Sequence, residues 1–336
     1  MARALVLYSG SLASKVTLRL AQGVPGLELK VLYFRSPFFL EPEEVEDRFY
    51  PPGGGLGTKT LKREYLGMAA SGDDLPFPCG ACRWVLLSRA ARLLRRGRFD
   101  YVITGEIVGR GGLQAPQLAA LDRELGLVGR VLRPLSGRLL PSTLAEERGD
   151  WPPRLMFDLT SPDGKRLELL ARSLGVSPGV EAEERCHLAN PVYVARLRLL
   201  LARESPTVNT LRLLTFRHFF HLPPDLKVVV ALDQREQALL QTLFLPTDMR
   251  LYFSLPRSPL VLVRADWSTH PRRRRLEAAT SAAQIALALA GFSPGALCEL
   301  CFRFEWEEET RRLAVVAPAS LEEALMPAST EVYLTS

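Results

Sequence analysis

Short apolar runs alternate with segments of helical spacing through the first half of the chain, the pattern of βαβ units around a parallel sheet. Arg3 to Tyr8 reads as a first strand, since Ala4-Leu5-Val6-Leu7 is apolar throughout and too short to be anything but buried. Leu12 to Gln22 reads as the helix after it, and Leu29 to Phe34 as a second strand. Trp84 to Leu94 has helical spacing with its charges on one face, and Tyr101-Val102-Ile103 forms a strand ending in Thr104-Gly105-Glu106. Two interruptions, Pro51-Pro52-Gly53-Gly54-Gly55 and Asp150-Trp151-Pro152-Pro153, read as long loops.

Near Glu204-Ser205-Pro206 the pattern changes. Beyond it come antiparallel-looking strands at Val228-Val229-Val230, Leu251-Tyr252-Phe253 and Leu260 to Arg264. An Ala-rich helix from Glu277 to Leu289 and a strand around Cys301 to Phe304 follow. The expected architecture is an α/β parallel-sheet domain over residues 1–204 and a smaller α+β domain over 205–336. A length of 336 residues agrees with two domains.

Apolar residues make up 47% of the chain and charged residues 24%, the balance of a globular protein that buries real cores. No apolar run approaches the roughly 20 residues of a membrane span, so a cytoplasmic protein without a membrane partner is expected. The net charge of +6, mostly from arginine, and a pI near 9.2 suggest a polyanionic partner. The five cysteines include two C-x-x-C pairs, a spacing that in a reducing compartment points to metal, cluster or sulfur chemistry more than to disulfides.

Ser9-Gly10-Ser11-Leu12-Ala13-Ser14 lies where the first strand turns into the first helix. Free backbone N–H groups and the positive end of the helix dipole make such a turn an anion site, and small side chains let a phosphate reach them. Further along come Pro78-Cys79-Gly80-Ala81-Cys82-Arg83, then Thr104-Gly105-Glu106-Ile107-Val108-Gly109, then Arg133-Pro134-Leu135-Ser136. Tyr33-Phe34-Arg35-Ser36-Pro37-Phe38 spans the end of the second strand and the turn after it. In this order, over about 200 residues, these motifs resemble the PP-loop ATP pyrophosphatases, in particular 4-thiouridine synthetase (ThiI)-like and tRNA thiouridylase-like proteins.

The resemblance implies the adenine nucleotide alpha hydrolase-like fold and ATP-dependent activation of a uridine in tRNA or another structured RNA. The uridine oxygen is adenylated, pyrophosphate leaves, and a sulfur species displaces AMP. It implies ATP and magnesium as cofactors, phosphate contacts from Ser9, Gly10, Ser11 and Ser14, a cleft lined by Glu106 and Arg133, and a sulfur-donor protein as a further partner. Three positions depart from the family pattern. Ser11 replaces a glycine, Ala13 replaces the aspartate expected to help a metal handle pyrophosphate, and Arg110 replaces a glutamine. Lys15 offers a replacement counter-charge or is a solvent-facing helix lysine.

Cys79 and Cys82 read as lying just before a helix, where the dipole favours the thiolate. Cys186 falls where the related proteins carry a further cysteine. Three readings of this catalytic or metal-binding trio stand open: three ligands of an iron–sulfur cluster, a persulfide carrier released by disulfide formation, or inert thiols left from an active ancestor. His187 beside Cys186 reads as structural more readily than as a ligand. Cys298 and Cys301 sit on an alternating strand that points them to opposite faces, which favours packing thiols over a zinc knuckle.

Residues from about 207 to 310 weakly resemble the RNA-binding domain of NFACT-type proteins, through Val228, Asp248 to Phe253, Leu260 to Arg264 and the Ala-rich helix. Arg217 and His218, among the aromatic residues Phe216, Phe219 and Phe220, and the run Arg272, Arg273, Arg274, Arg275, read as a loop, are the candidate RNA contacts. The functional expectation is a tRNA-thiolation-like protein with an altered ATP loop. The alternative is a catalytically silent RNA-binding or scaffold protein, favoured by Ser11, Ala13 and Arg110, whereas the three cysteines favour retained chemistry.

Overall fold

The computed structural model describes residues 1–39, 56–61, 64, 79–97, 99–161, 163–176, 186–223, 225–253, 258–269 and 272–326. β1 (Ala2–Leu7) is the central strand of the first sheet, and Ala4, Leu5 and Val6 are fully buried on both of its faces. It pairs in parallel with β2 (Leu27–Arg35) on one side and β4 (Tyr101–Thr104) on the other. β3 (Leu56–Thr60) adds beyond β2 and β5 (Val131–Leu132) beyond β4, giving an all-parallel sheet of order β3-β2-β1-β4-β5. The chain builds outward from β1 in one direction, then returns to build in the other. The crevice between β1 and β4 is therefore the point where strand order reverses, and ligands of open α/β sheets bind there, beyond the carboxyl ends of the strands.

α1 (Leu12–Gln22) begins directly after β1 and buries Leu12, Val16, Leu18 and Leu20 against the sheet. Ser11 caps it, its hydroxyl accepting from the Ser14 N–H. The remaining helices of this unit are α2 (Cys79–Arg95), α3 (Ala115–Glu124), α4 (Leu144–Glu147), α5 (Gly164–Ser173), which packs on α1, and α6 (Pro191–Leu201). In the loop Asp150 to Pro153, Trp151 is fully buried, and Tyr101 Oη donates to Asp150 at 2.6 Å. The other long interruption, Pro51 to Gly55, lies outside the described residues.

The chain divides into two compact units, Met1–Pro206 and Thr207–Ser336. The second begins with α7 (Val208–Leu213) and is built on an antiparallel sheet. Its strands are β6 (His218–Leu222), β7 (Leu226–Ala231), β8 (Met249–Phe253), β9 (Leu260–Arg264), β10 (Leu297–Phe304) and β11 (Arg311–Val316). They lie in the order β11-β10-β8-β9-β7-β6. α8 (Gln234–Gln241) follows β7, α9 (Arg272–Leu289) precedes β10, and α10 (Leu321–Leu325) follows β11. α9 carries Ala279, Ala282, Ala283 and Ala286, all fully buried, and such small side chains let it lie close over Val228, Leu251, Val261 and Leu300. The molecule is thus an α/β parallel-sheet unit followed by a smaller α+β unit. Among the described residues no helix is long and apolar enough to cross a membrane.

Two expectations need correction. Arg272 to Arg275 do not form a loop: they are the first turn of α9, because arginine is a good helix former and the Ala-rich segment carries the helix back through it. The aromatics around Arg217 and His218 are not offered for stacking, since Phe216 and Phe219 are buried and Phe220 packs on the core, while His218 opens β6 and pairs with Val230. Cys298 and Cys301 are both buried on β10, with Cys298 on the α9 face, and so pack as the alternation implied.

Candidate functional site

A cavity of about 320 Å³ opens at the reversal point of the first sheet. Its floor is the turn after β1. Gly10 has φ 77°, a left-handed conformation that glycine tolerates, and this swings the chain into the helix start at Ser11. The serines brace the turn. Ser9 Oγ lies 2.9 Å from Ser11 Oγ, Ser14 Oγ donates to the Ser11 carbonyl at 2.9 Å, and the Ser9 N–H donates to Ser14 Oγ at 3.3 Å. The backbone N–H groups of Gly10, Leu12 and Ala13 have no protein acceptor among the described residues. They are the uncommitted donors of a helix N-terminus.

The opposite wall is Thr104-Gly105-Glu106, at the carboxyl end of β4. Gly105 lies so near the first turn of α1 that a Cβ would stand 2.9 Å from Ala13 C, Ala13 O and Ser14 N. Glycine is therefore a packing requirement for bringing the two motifs together.

Glu106 is buried and fixed. Arg133 Nε donates to its Oε2 at 2.5 Å, Thr104 Oγ1 to the same oxygen at 3.2 Å, and Arg83 Nε lies 3.2 Å from Oε1. Arg133 also grips Asp122 with both terminal nitrogens, at 2.6 and 2.8 Å. Burial pushes the Glu106 carboxyl upward, but the charges of Arg133 and Arg83, with hydrogen bonds from Arg133 and Thr104, outweigh it and hold it below the usual carboxylate range. Asp122 goes the other way: burial raises it, Arg133 opposes, and nearby Glu106 adds repulsion. The two acids share one guanidinium, and only Glu106 has the help of Arg83. Arg133 itself does not line the cavity, contrary to expectation; it stands behind Glu106, buried, with its fork spent on two carboxylates. The neighbouring Ser136 also serves the scaffold: its hydroxyl accepts from the Val108 N–H and donates to the Leu159 carbonyl.

Cys82 and Cys186 both line the cavity, together with Ser9, Ser11, Ser14 and Glu106. Cys186 arrives through a single antiparallel bridge to Phe39, just beyond β2. Cys79 and Cys82 lie inside the first turn of α2 and not before it. The Cys82 thiol is not favoured as thiolate, because burial pushes it up, Arg83 only partly offsets this, and Glu106 adds to the rise. The Cys79 side chain lies outside the described residues. Among the described residues no three His, Cys, Asp or Glu side chains form a metal-binding group. His187 stacks on Tyr193 at 5.2 Å between ring centroids.

Several lining residues carried no assignment from the sequence. Among the described residues, Arg83 and Arg110 supply two lining cations against one lining carboxylate, Glu106. Arg110 stands where the family pattern has a glutamine, on a short turn after Gly109, whose φ is 87°. Tyr33 and Phe34 near the end of β2, and Phe39 just beyond it, add aromatic lining; the aromatic end of that strand was the available signal. Lys15, read either as a counter-charge or as a solvent-facing lysine, does not line the cavity, and neither does Gly10.

No family model matches the chain, and no curated protein matches it. Among solved structures, it is similar to the predicted subunit of tRNA methyltransferase from Methanocaldococcus jannaschii, at 14% identity and a TM-score of 0.32, over 52% of this chain and 76% of that one. It is also similar to the C-terminal part of the fibronectin/fibrinogen-binding protein from Streptococcus suis, at 11% identity and a TM-score of 0.25, over 78% of this chain and 95% of that one. Likeness at this level leaves function to be read from the site itself.

Proposed function

We propose that the first unit binds the phosphate-bearing part of an adenine nucleotide in the reversal-point cavity without turning ATP over, in a protein whose partner is tRNA or another structured RNA. The observation that carries this reading is the cavity's charge pattern. Uncommitted amides at the start of α1 and the cations Arg83 and Arg110 face the same space as Ser9, Ser11 and Ser14. The aromatic lining from Tyr33, Phe34 and Phe39 offers a face for a base. Magnesium does not fit the donors present. Ala13 supplies no oxygen, and Glu106 is the one lining carboxylate among the described residues, already bound by Arg133 and Arg83. Without a metal to take charge from a departing pyrophosphate, adenylation lacks its main electrophilic help.

The meeting of two thiols in the cavity favours a second reading, retained sulfur transfer. A donor protein would load a persulfide on Cys82 or Cys186. Attack by the other thiol would form the Cys82–Cys186 disulfide and release hydrogen sulfide. An iron–sulfur cluster would need Cys79 as a third ligand and deprotonation of Cys82, which burial opposes.

Thiol labelling locates the ligand. With excess AMP, alkylation of Cys82 and Cys186, followed by mass spectrometry of the native chain, is expected to slow about tenfold, while Cys298 and Cys301 keep their rates. Equal rates with and without AMP would place any nucleotide elsewhere. A sulfur-transfer protein would show instead a persulfide adduct on one of the first two thiols after incubation with a persulfide donor.

A further inference from the structure

We propose that the face of the second sheet opposite α9, over β8 and β10, is a binding surface for a single-stranded segment of RNA; this rests on the RNA partner proposed above but uses residues other than Arg217, His218 and Arg272 to Arg275. The strands alternate. Met249, Leu251 and Phe253 of β8 and Leu300, Phe302 and Phe304 of β10 join the core under α9, so Arg250, Tyr252 and Arg303 emerge on the other side. α8 packs against β7 and β9, and beside it Arg250, Tyr252 and Arg303 keep partial exposure. A depression of about 490 Å³ results, lined by Gln237, Gln241, Arg250, Tyr252, Ser258 and Arg303. Its size falls within the range of about 300–1,000 Å³ typical of ligand clefts.

The charge arrangement there is unfavourable in the protein alone. Arg250 and Arg303 are direct cross-strand partners, and like charges in that position destabilise a sheet. Arg250 is compensated: its Nε lies 2.6 Å from Glu305 Oε1, and its guanidinium sits 4.2 Å over the Phe244 ring. Arg303 has no carboxylate partner among the described residues, and no carboxylate lines the depression. A phosphate beside Arg303 would relieve the repulsion. Tyr252, two pairs along the same ladder and so on the same face, opposite Cys301, offers a ring on which a base stacks. The amides suit base edges. Gln237 Nε2 donates to the Ser258 carbonyl at 2.9 Å, leaving its oxygen to accept, and Gln241 is exposed. A concave site with two arginines, one ring and two amides matches an unpaired nucleotide better than a duplex, whose bases are already stacked and paired.

The test is anisotropy of a short fluorescent oligouridine with the full chain at two salt concentrations. Arg303→Gln and Tyr252→Ala are each expected to weaken binding about five- to tenfold, while Tyr252→Phe, which keeps the ring, binds as the unmodified chain does. Arg303→Gln should also flatten the plot of log affinity against log salt by about 0.7. Melting temperatures of Arg303→Gln and Tyr252→Phe at or above the parent's establish that the surface, not the fold, was altered. Unchanged binding in Arg303→Gln and Tyr252→Ala, with loss on neutralising Arg272 to Arg275, would overturn this surface and leave the RNA reading intact. Displacement of RNA by polyglutamate with equal sensitivity to Arg303→Gln would assign the face to an acidic protein instead. No RNA binding at low salt would overturn both readings.

Discussion

Replacing Arg133 with methionine is expected to destabilise the first unit by about 3–5 kcal/mol, the usual result of removing one member of a buried ion network. The reason is in the contacts. Arg133 makes three short charged hydrogen bonds, one to Glu106 and two to Asp122, and is itself almost fully buried. Without it, Asp122 loses both hydrogen bonds from the guanidinium, and Glu106 keeps only the longer contacts to the part-exposed Arg83 and to Thr104. The unit should then melt about 6–20 °C lower, which differential scanning calorimetry reads directly. Arg133→Lys should recover only part of the loss, since an ammonium cannot reproduce the planar fork. Pairing Arg133→Met with Glu106→Gln and Asp122→Asn should recover more, because the stranded charges go with it. A melt within a degree or two of the parent for Arg133→Met alone would mean that the network contributes nothing.

Gly105→Val tests the joint between the two strand-end motifs. The atoms a Cβ would strike are backbone atoms of Ala13 and Ser14, which cannot rotate away as a side chain would. The expected cost is about 1–3 kcal/mol of overpacking, taken up by pushing the start of α1 off β4. Because the same turn holds the uncommitted amides, nucleotide affinity should fall at least about tenfold, or 1.4 kcal/mol. Gly164→Ala is the control: a Cβ there meets nothing within 4 Å, and both stability and binding should hold. Full nucleotide affinity in Gly105→Val would separate the amide turn from the binding site.

Much of the scaffold was legible because its strands are continuous apolar runs. Helix α1 and strand β9 begin and end at the residues their patterns indicated, Leu12–Gln22 and Leu260–Arg264. β3 was not: Leu-Gly-Thr-Lys-Thr at a sheet edge has little apolar surface to bury and so no pattern to read. β5 is two residues long, below any periodicity. β11 carries Arg311 and Arg312 at its start, which masks the alternation that follows.

The site was legible to the extent that its residues follow strands, as Ser9 to Ser14 follow β1 and Glu106 follows β4. Cys186 reaches the cavity through a bridge to Phe39, a pairing across 147 positions that local pattern cannot reveal. Arg133 was legible as important but not as buried: its motif marks it, and only the fold shows its fork spent behind Glu106 instead of facing the cavity. Arg83 looks in the sequence like an ordinary surface arginine and Arg110 stood out only as a departure from the family pattern; the fold brings both to the cavity, one on α2 and one on the turn after Gly109.

The central claim is that the cavity binds a nucleotide through amides and arginines, with no productive metal site. Isothermal titration of ATP with and without magnesium, on the full chain, tests it most directly. The account predicts a dissociation constant on the order of 0.1–1 mM, about −4 to −5.5 kcal/mol, unchanged by magnesium and accompanied by no pyrophosphate release. Combining Ala13→Asp with Ser11→Gly should make binding tighter and magnesium-dependent. Magnesium-dependent tightening in the parent chain, with pyrophosphate released, would contradict the loss of turnover, and the absence of any binding would contradict the site.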